Sequence, residues 1–397
     1  METSDLYELR KEIISLILLC QEGSYWDFKK EWHGNKGDLL HDIICMANNI
    51  SNRDAYIIIG IDEENDFCPF DISHDPNRKN TQKIVDFLKD KKFAGGIRPV
   101  VHVQELNYLN AVIDVVIVKN SRNTPFFLSE QFEKVRANNI YARIMDTNTP
   151  IDKSADINYI EYLWKKRFRL DETPLEKINY YLQSPSDWVD TGDEQEFKQF
   201  YTYCPEFTIR HDQDRSKTGY EFYLFGQVNH TPHWYTITLC YHQTALEQFQ
   251  GIALDGGRCF VVAPAREYLS LRDAFNVDAR YAYFVNGSLR CSLLFYFLSR
   301  ESNQESYQYH TFIKSVLIFD SEDEKISFDN YVKQNQALYY KLCNEYDVST
   351  LPSFPSLPGY NVDAFKDDYI SSMVLKQMLV NFRNIEILKC IPQEDTF

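Results

Sequence analysis

Glycine and proline are scarce, at 14 each in 397 residues, which excludes a collagenous or linker-like chain. No segment approaches the roughly 20 apolar residues that a membrane span needs. The longest apolar block near the start, Ile13 to Cys20, is broken by Ser15 and reads as one face of a helix. Its flank mixes Arg10 and Lys11 with Asp5, Glu8 and Glu12, so the basic leader of an export signal is missing and a soluble protein is expected. Nine cysteines, an odd count, form no C-x-x-C and keep no regular spacing. That pattern predicts free thiols in a reducing compartment, with the cytoplasm as the expected location. The phosphate-cradling patterns G-x-x-x-x-G-K-[ST] and G-x-G-x-x-G are absent, as are G-x-S-x-G and H-E-x-x-H. Nucleotide hydrolysis on a P-loop, serine-hydrolase chemistry and zincin chemistry lose their usual sequence support.

The chain is instead rich in Tyr and Phe, 27 of each, with 44% apolar and 25% charged residues, so a large packed core is expected. At about 100–200 residues per domain, the length suggests two or three domains. Charge supplies a boundary. Residues 1–170 hold 23 basic and 26 acidic side chains, net −3; the remainder holds 19 and 32, net −13, giving the overall −16. The shift follows the basic cluster Lys165, Lys166, Arg167 and Arg169, so the expected domains are 1–170 and 171–397.

Periodicity makes the first part mixed α/β within an α+β chain. Apolar residues three and four apart predict helices over 5–21, 36–49, 79–92 and 154–168. Strands are expected at 25–29, at the isoleucine-rich run 55–61, at 140–143, and as a hairpin of 100–106 with 112–118. The acidic second part is expected to be α+β too. Strands are predicted at 220–227, 234–242, 257–263 and 311–319, and helices at 243–251, 323–346 and 364–382. Loops are expected at 184–193 and in the Pro-rich 351–359.

One constellation carries chemistry. On a strand over 25–29, Asp27 and Lys29 share a face because side chains alternate with period two. Glu22 stands at the entrance of that strand, and the buried strand 55–61 ends in Asp62 and Glu63. If the two strands lie close, Glu22, Asp27 and one of Asp62 or Glu63 converge with Lys29 beside them. Hard cations such as Mg²⁺ or Mn²⁺ prefer such oxygen ligands, and a bound ion can activate water for attack on a phosphodiester. Lys29 would then meet a phosphate oxygen. The same spacing also suits a solvated helix end, a surface Asp27–Lys29 pair and an acidic turn.

The order EGSYWDFKKEW, helix, ANN, YIIIGIDEEN resembles the Schlafen AlbA-like domain family, whose members carry a Glu, then Glu-Phe-Lys, a helix, Ala-Asn, and a hydrophobic strand ending Gly-Val-Asp/Glu. YARIMDTNTP looks like the family's closing strand, with Arg143 before a turn. The resemblance covers about residues 1–170. It implies a nucleic-acid-binding fold and, from vertebrate members, a metal-dependent nuclease that cuts transfer RNA with three carboxylates. Here these would be Glu22, Asp27 and one of Asp62 or Glu63, holding Mg²⁺ or Mn²⁺, with Lys29 as the motif lysine. Many bacterial relatives imply only DNA or ATP binding. Asp27 stands where the family has Glu, and Asn52-Arg53-Asp54 replaces its Gly-Gly. A single AlbA-like lobe, where vertebrate members have two, implies a homodimer.

Basic side chains of the first domain, Lys29, Lys30, Lys91, Lys92, Arg122, Arg136, Arg143, Lys165, Lys166 and Arg167, are expected along a groove for nucleic acid, RNA rather than DNA. The alternative function is a non-catalytic nucleic-acid- or nucleotide-binding regulator. His230, His233, Cys240 and His242 fall within 13 residues, but the turn and bulky neighbours favour a structural role over zinc.

Overall fold

A computed structural model describes residues 3–191, 198–272, 277–300 and 307–389. The chain is α+β and divides into two compact units, Met1–Asp171 and Glu172–Phe397. Among the described residues no helix is long and apolar enough to cross a membrane.

The first unit is built on a four-stranded sheet in the order β1-β2-β6-β5. Strand β1 (Trp26–Lys29) runs parallel to β2 (Ala55–Ile59), joined by α2 (Lys36–Ala47). The hairpin β5 (Val101–Tyr108) and β6 (Ala111–Val118) completes it, with β6 antiparallel to β2. Alternation along each strand divides the core in two. Trp26, Phe28, Tyr56 and Ile58 pack with Leu9, Ile13, Leu16 and Ile17 of α1 (Thr3–Ile17). Ile57 and Ile59 pack with Leu39, Ile43 and Ile44 of α2 and with Ile84 and Leu88 of α3 (Thr81–Lys89). A strand apolar at every position, like β2, is what a sheet covered on both faces requires. Since Trp26 and Phe28 turn toward α1, Asp27 and Lys29 turn toward α2.

Two devices fix this arrangement. Asn35 caps α2, its side chain accepting from the N–H groups of Gly37 (2.7 Å) and Asp38 (3.1 Å). At the other end Asn48, fully buried, donates to the carbonyls of Phe126 and Tyr141 and accepts from Phe126 N–H, all at 2.8 Å. The Ala-Asn of the motif is thus a tie between α2 and the segment leading to β7 (Arg143–Ile144), which pairs with β8 (Thr147–Asn148). The expected strand 140–143 is shorter than its apolar run, because Asn48, Ser154 and the Thr149 hydroxyl take backbone partners that a sheet would use. After β2 come β3 (Ile61–Asp62) and β4 (Cys68–Pro69), and α4 (Ile157–Arg167) closes the unit.

The second unit follows α5 (Pro174–Tyr181) with a six-stranded antiparallel sheet, β14-β13-β12-β11-β10-β9. Its strands are β9 (Trp188–Asp190), β10 (Lys198–Tyr201), β11 (Cys204–Gln213), β12 (His233–Tyr241), β13 (Thr244–Leu254) and β14 (Cys259–Val262). A second sheet joins β15 (Ala265–Leu269), β16 (Ala279–Val285) and β17 (Leu317–Phe319). Five further helices complete it among the described residues: α6 (Leu289–Arg300), α7 (Tyr307–Lys314), α8 (Glu322–Gln334), α9 (Gln336–Asn344) and α10 (Val362–Lys389).

Several expectations for this unit are corrected. Of residues 243–251, expected helical, 244–251 belong to β13, held by nine-residue pairing with β12 that overrides their helix-like spacing. The expected strand 220–227 is a turn around Phe222–Leu224, whose aromatic residues are buried in the core rather than alternating. Of 311–319, only Leu317–Phe319 is strand, 311–314 belong to α7, and Ser315 and Val316 turn between the two. The long helix 323–346 breaks at Asn335, whose side chain bonds back to Tyr331 O at 2.8 Å. The loop 184–193 contains β9, and its last two residues lie outside the described residues.

Candidate functional site: a carboxylate cluster on the first unit

Strand β1 delivers Asp27 and Lys29 to one face, and the site assembles around them. Lys29 Nζ lies 2.5 Å from Asp27 Oδ2, with the carboxylate only 2% exposed and the lysine 32%. Glu22 folds back over the strand, Oε1 accepting from Phe28 N–H at 3.1 Å. Arg143 arrives from β7 and is buried. Its Nη2 donates to Glu22 Oε2 (2.8 Å) and Trp26 O (3.0 Å), its Nη1 to Asp27 Oδ1 (3.3 Å) and Asn148 Oδ1 (3.1 Å), and its Nε to Gly23 O (2.6 Å). All five guanidinium N–H groups are therefore engaged.

The third acid is Glu63. It interacts with Glu22 and feels the charges of Lys29, Asp27 and Arg143. Asp62, the other candidate, instead pairs with Lys30 at 2.8 Å. The two acids part because Asp62 ends β3 while Glu63 begins the helical turn Glu63–Asn65 that follows it. Gly60 makes the approach possible. Its N–H donates to Lys29 O and its carbonyl accepts from Phe70 N–H, both at 2.8 Å, at a φ of +104°.

Crowding shows in the proton affinities. Burial first, then the hydrogen bond and repulsion from Asp27, push Glu22 up to about 8 against the pull of Arg143 and the Phe28 N–H. Glu63 is also raised, chiefly by burial. With Lys29 and Arg143 positive, the cluster nears neutrality when Glu22 keeps its proton.

Carboxylate oxygens are the donors a hard divalent cation prefers, and Glu22, Asp27 and Glu63 are of that chemical type. As arranged, Lys29 and Arg143 lie against two of the acids. Among the described residues no group of three or more His, Cys, Asp or Glu stands ready to hold a metal, the His230–His242 stretch included.

A second layer escaped the sequence reading. Asp42 of α2, buried, accepts from Asn148 Nδ2 at 2.9 Å through Oδ1 and pairs with His33 Nε2 at 2.7 Å through Oδ2. His41 Nδ1 lies 3.7 Å from Asp42 Oδ1. Burial opposes ionisation of Asp42, but the bonds from His33 and His41 and the charge of Lys29 outweigh it and hold the carboxyl well below its usual range. The helical period already placed Asp42 one position before the apolar Ile43 and Ile44, inside the α2 face, and a charge at such a position is the signal that could have found it.

Two of the residues expected along the groove are buried. Arg143 points inward to the acids, and Lys166, 1% exposed, bonds Asn120 Oδ1 at 2.8 Å. Burial, with Arg122 nearby, lowers Lys166 to about 8. Both differ from the expected surface role because an acceptor inside the unit claims each one. Lys91 lies over the rings of Phe87 (4.6 Å) and Phe132 (3.9 Å), while Lys92 is exposed. Lys165 pairs with Glu161 one turn earlier at 2.7 Å, and Arg167 donates to Asn123 O at 3.0 Å. Arg136 donates to Asp152 O at 2.7 Å, and Arg122 lies 3.5 Å from Asp171.

No curated protein and no solved structure matches this chain. The family model described as Schlafen, AlbA_2 matches residues 22–152, and that match points to a nucleic-acid-related function. The matched stretch contains every residue of the carboxylate cluster and of the layer behind it, so the first unit of this chain carries a Schlafen AlbA_2 domain.

Proposed function

We propose that the first unit is a divalent-metal-dependent nuclease acting on RNA, with transfer-RNA-like molecules as the substrate class. The observation that supports this reading is that Glu22 and Asp27 share the Arg143 guanidinium with Lys29 beside Asp27, while Glu63 is near enough to feel their charges. Glu22, Asp27 and Glu63 would hold Mg²⁺ or Mn²⁺, which supplies an activated water and positive charge for the phosphodiester. Glu22 must first release its proton, so it acts as the acid whose ionisation opens the site. Lys29, 32% exposed, can leave Asp27 for a phosphate oxygen and balance the charge that builds there. Arg143, buried and with every N–H engaged, keeps one oxygen each of Glu22 and Asp27 in place throughout.

A second reading, a non-catalytic nucleic-acid-binding regulator, draws support from the same arginine. Arg143 and Lys29 already neutralise two of the acids, as a purely structural ion cluster would. Incubating the purified chain with total RNA and with DNA, with and without Mn²⁺, separates the two. The nuclease predicts Mn²⁺-dependent RNA degradation that Glu22→Gln and Asp27→Asn abolish while the fold remains. No metal-dependent degradation, with binding retained in both variants, would favour the regulator.

A further inference from the structure

Arg143 orients the acids, and Arg143 is itself held by its neighbours. Four of its five hydrogen bonds go to Glu22, Asp27 and two backbone carbonyls around β1. The fifth goes to Asn148 Oδ1, the one partner outside the β1 region. An amide side chain can turn end for end at little cost, and turned, Asn148 would aim its NH₂ at the guanidinium. Asp42 forbids this. Its carboxylate is ionised and only accepts, so the NH₂ of Asn148 must face Asp42 and the carbonyl must face Arg143. Asp42 is in turn held by His33, whose segment is pinned by Trp32: the backbone N–H donates to Asp75 Oδ2 at 2.8 Å and the indole to Asp114 Oδ2 at 2.9 Å. The result is a connected network in which Asp42 accepts from Asn148, and Arg143 donates to Asn148, Glu22 and Asp27; from His33 through Asp42, Asn148 and Arg143 to the two acids its steps are 2.7, 2.9, 3.1, 2.8 and 3.3 Å.

We propose that Asp42 and Asn148 are positioning residues of the carboxylate site, a donor–acceptor pair whose polarity sets the direction of Arg143 and through it the two acids. The inference rests on the nuclease reading for its effect on cleavage, but the chain of bonds stands on its own. Polarity makes it testable, because it can be reversed without changing size. Asp42→Asn lets residue 42 offer an NH₂ to Asn148 and frees the amide to turn. Asn148→Asp sets two carboxylates against each other. The double variant restores the pattern in mirror form: residue 42 donates to residue 148, keeps its oxygen for His33, and residue 148 still accepts from Arg143.

The experiment follows two readouts on the full chain. The first is Mn²⁺-dependent RNA cleavage, separated into kcat and KM. Each single variant is expected to lose kcat by about tenfold or more with KM little changed, the usual scale for residues behind a site. The double variant should return to within about threefold, since the pair is coupled. The second readout is the Arg143 Nε–H resonance in a ¹⁵N-arginine spectrum, with its exchange protection, which needs neither metal nor activity. It should shift and lose protection in each single variant and recover in the double. Cleavage absent from the unaltered chain would sink the nuclease reading and leave the resonance to decide the positioning role. A resonance unmoved in the single variants, or a double no nearer the parent than either single, would overturn the positioning role, whatever the cleavage assay shows.

Discussion

Arg143 Nη2 meets Glu22 Oε2 at 2.8 Å across 121 residues of sequence, closing the hairpin of β7 and β8 onto the entrance of β1. A buried guanidinium with five acceptors is a fastener whatever else the site does. Arg143→Lys keeps the charge but replaces a planar fork with a single ammonium, which cannot reach Gly23 O, Asn148 and both acids together. The substitution should cost the first unit about 3–5 kcal/mol, the range for breaking a buried pair. Calorimetry of the full chain, following the transition assigned to that unit, checks it. A loss below about 1 kcal/mol, the scale of a surface pair, would show that the guanidinium is not the fastener its bonds suggest.

Glu22 makes stability depend on pH in an unusual direction for a carboxylate. Its folded value is raised from 4.5 to about 8, so the folded state binds the proton more tightly than the unfolded one. The contribution is fully present below pH 4.5 and is lost as pH rises toward and through 8. Glu22→Gln imitates the protonated side chain and cannot ionise. Without metal, the variant should therefore match the parent near pH 5 and exceed it by about 1 kcal/mol near pH 8.5, allowing for water on the exposed part of the side chain. Melting temperatures across that range are the measurement, and parallel curves for the two proteins would contradict the assigned shift.

Much of the first unit was legible because its signals are local. The isoleucine run of β2 can only be a strand covered on both faces, and the alternation of Trp26, Asp27, Phe28 and Lys29 places the acid and the lysine together without knowledge of any neighbour. What the sequence left open was long-range. Glu63 and Asp62 are adjacent, and only the path of β3 past Gly60 decides which one joins Glu22. Arg143 reads as a surface cation by type, yet five acceptors 116 to 121 residues away or at Asn148 draw it inside. In the second unit the failure was one of periodicity. Residues 243–251 read as helical, and the strand β13 that takes in 244–251 is set by pairing with β12 and β14.

Gly60 links β2 to β3, from which the chain enters the turn that carries Glu63, and its backbone is strained for any other residue. At φ +104° a Cβ would stand 2.9 Å from both Phe70 O and Ile113 Cγ2. Backbone cannot move aside as a flexible side chain would. Gly60→Ala should destabilise the first unit by about 2–3 kcal/mol, and it should disturb Glu63 more than Asp27, whose place is set by β1 itself. Thermal unfolding reads the first effect. Full stability in the variant would mean that β4 follows another path.

The basic side chains of the first unit divide into buried ones and exposed ones, and the two kinds predict different effects on RNA affinity. Lys166 is buried against Asn120 Oδ1, and burial has lowered it to about 8. Methionine has similar length and no charge, so Lys166→Met should leave RNA affinity within about twofold, as expected for a group that meets no phosphate. Lys92 is exposed. If it meets a phosphate, Lys92→Gln should weaken binding about equally for all sequences and reduce the slope of log affinity against log salt by about one. Fluorescence anisotropy with a single RNA at several salt concentrations measures both. Should Lys166→Met change the slope while Lys92→Gln does not, the nucleic acid would have to approach from the α4 side, with the end of that helix opening on binding.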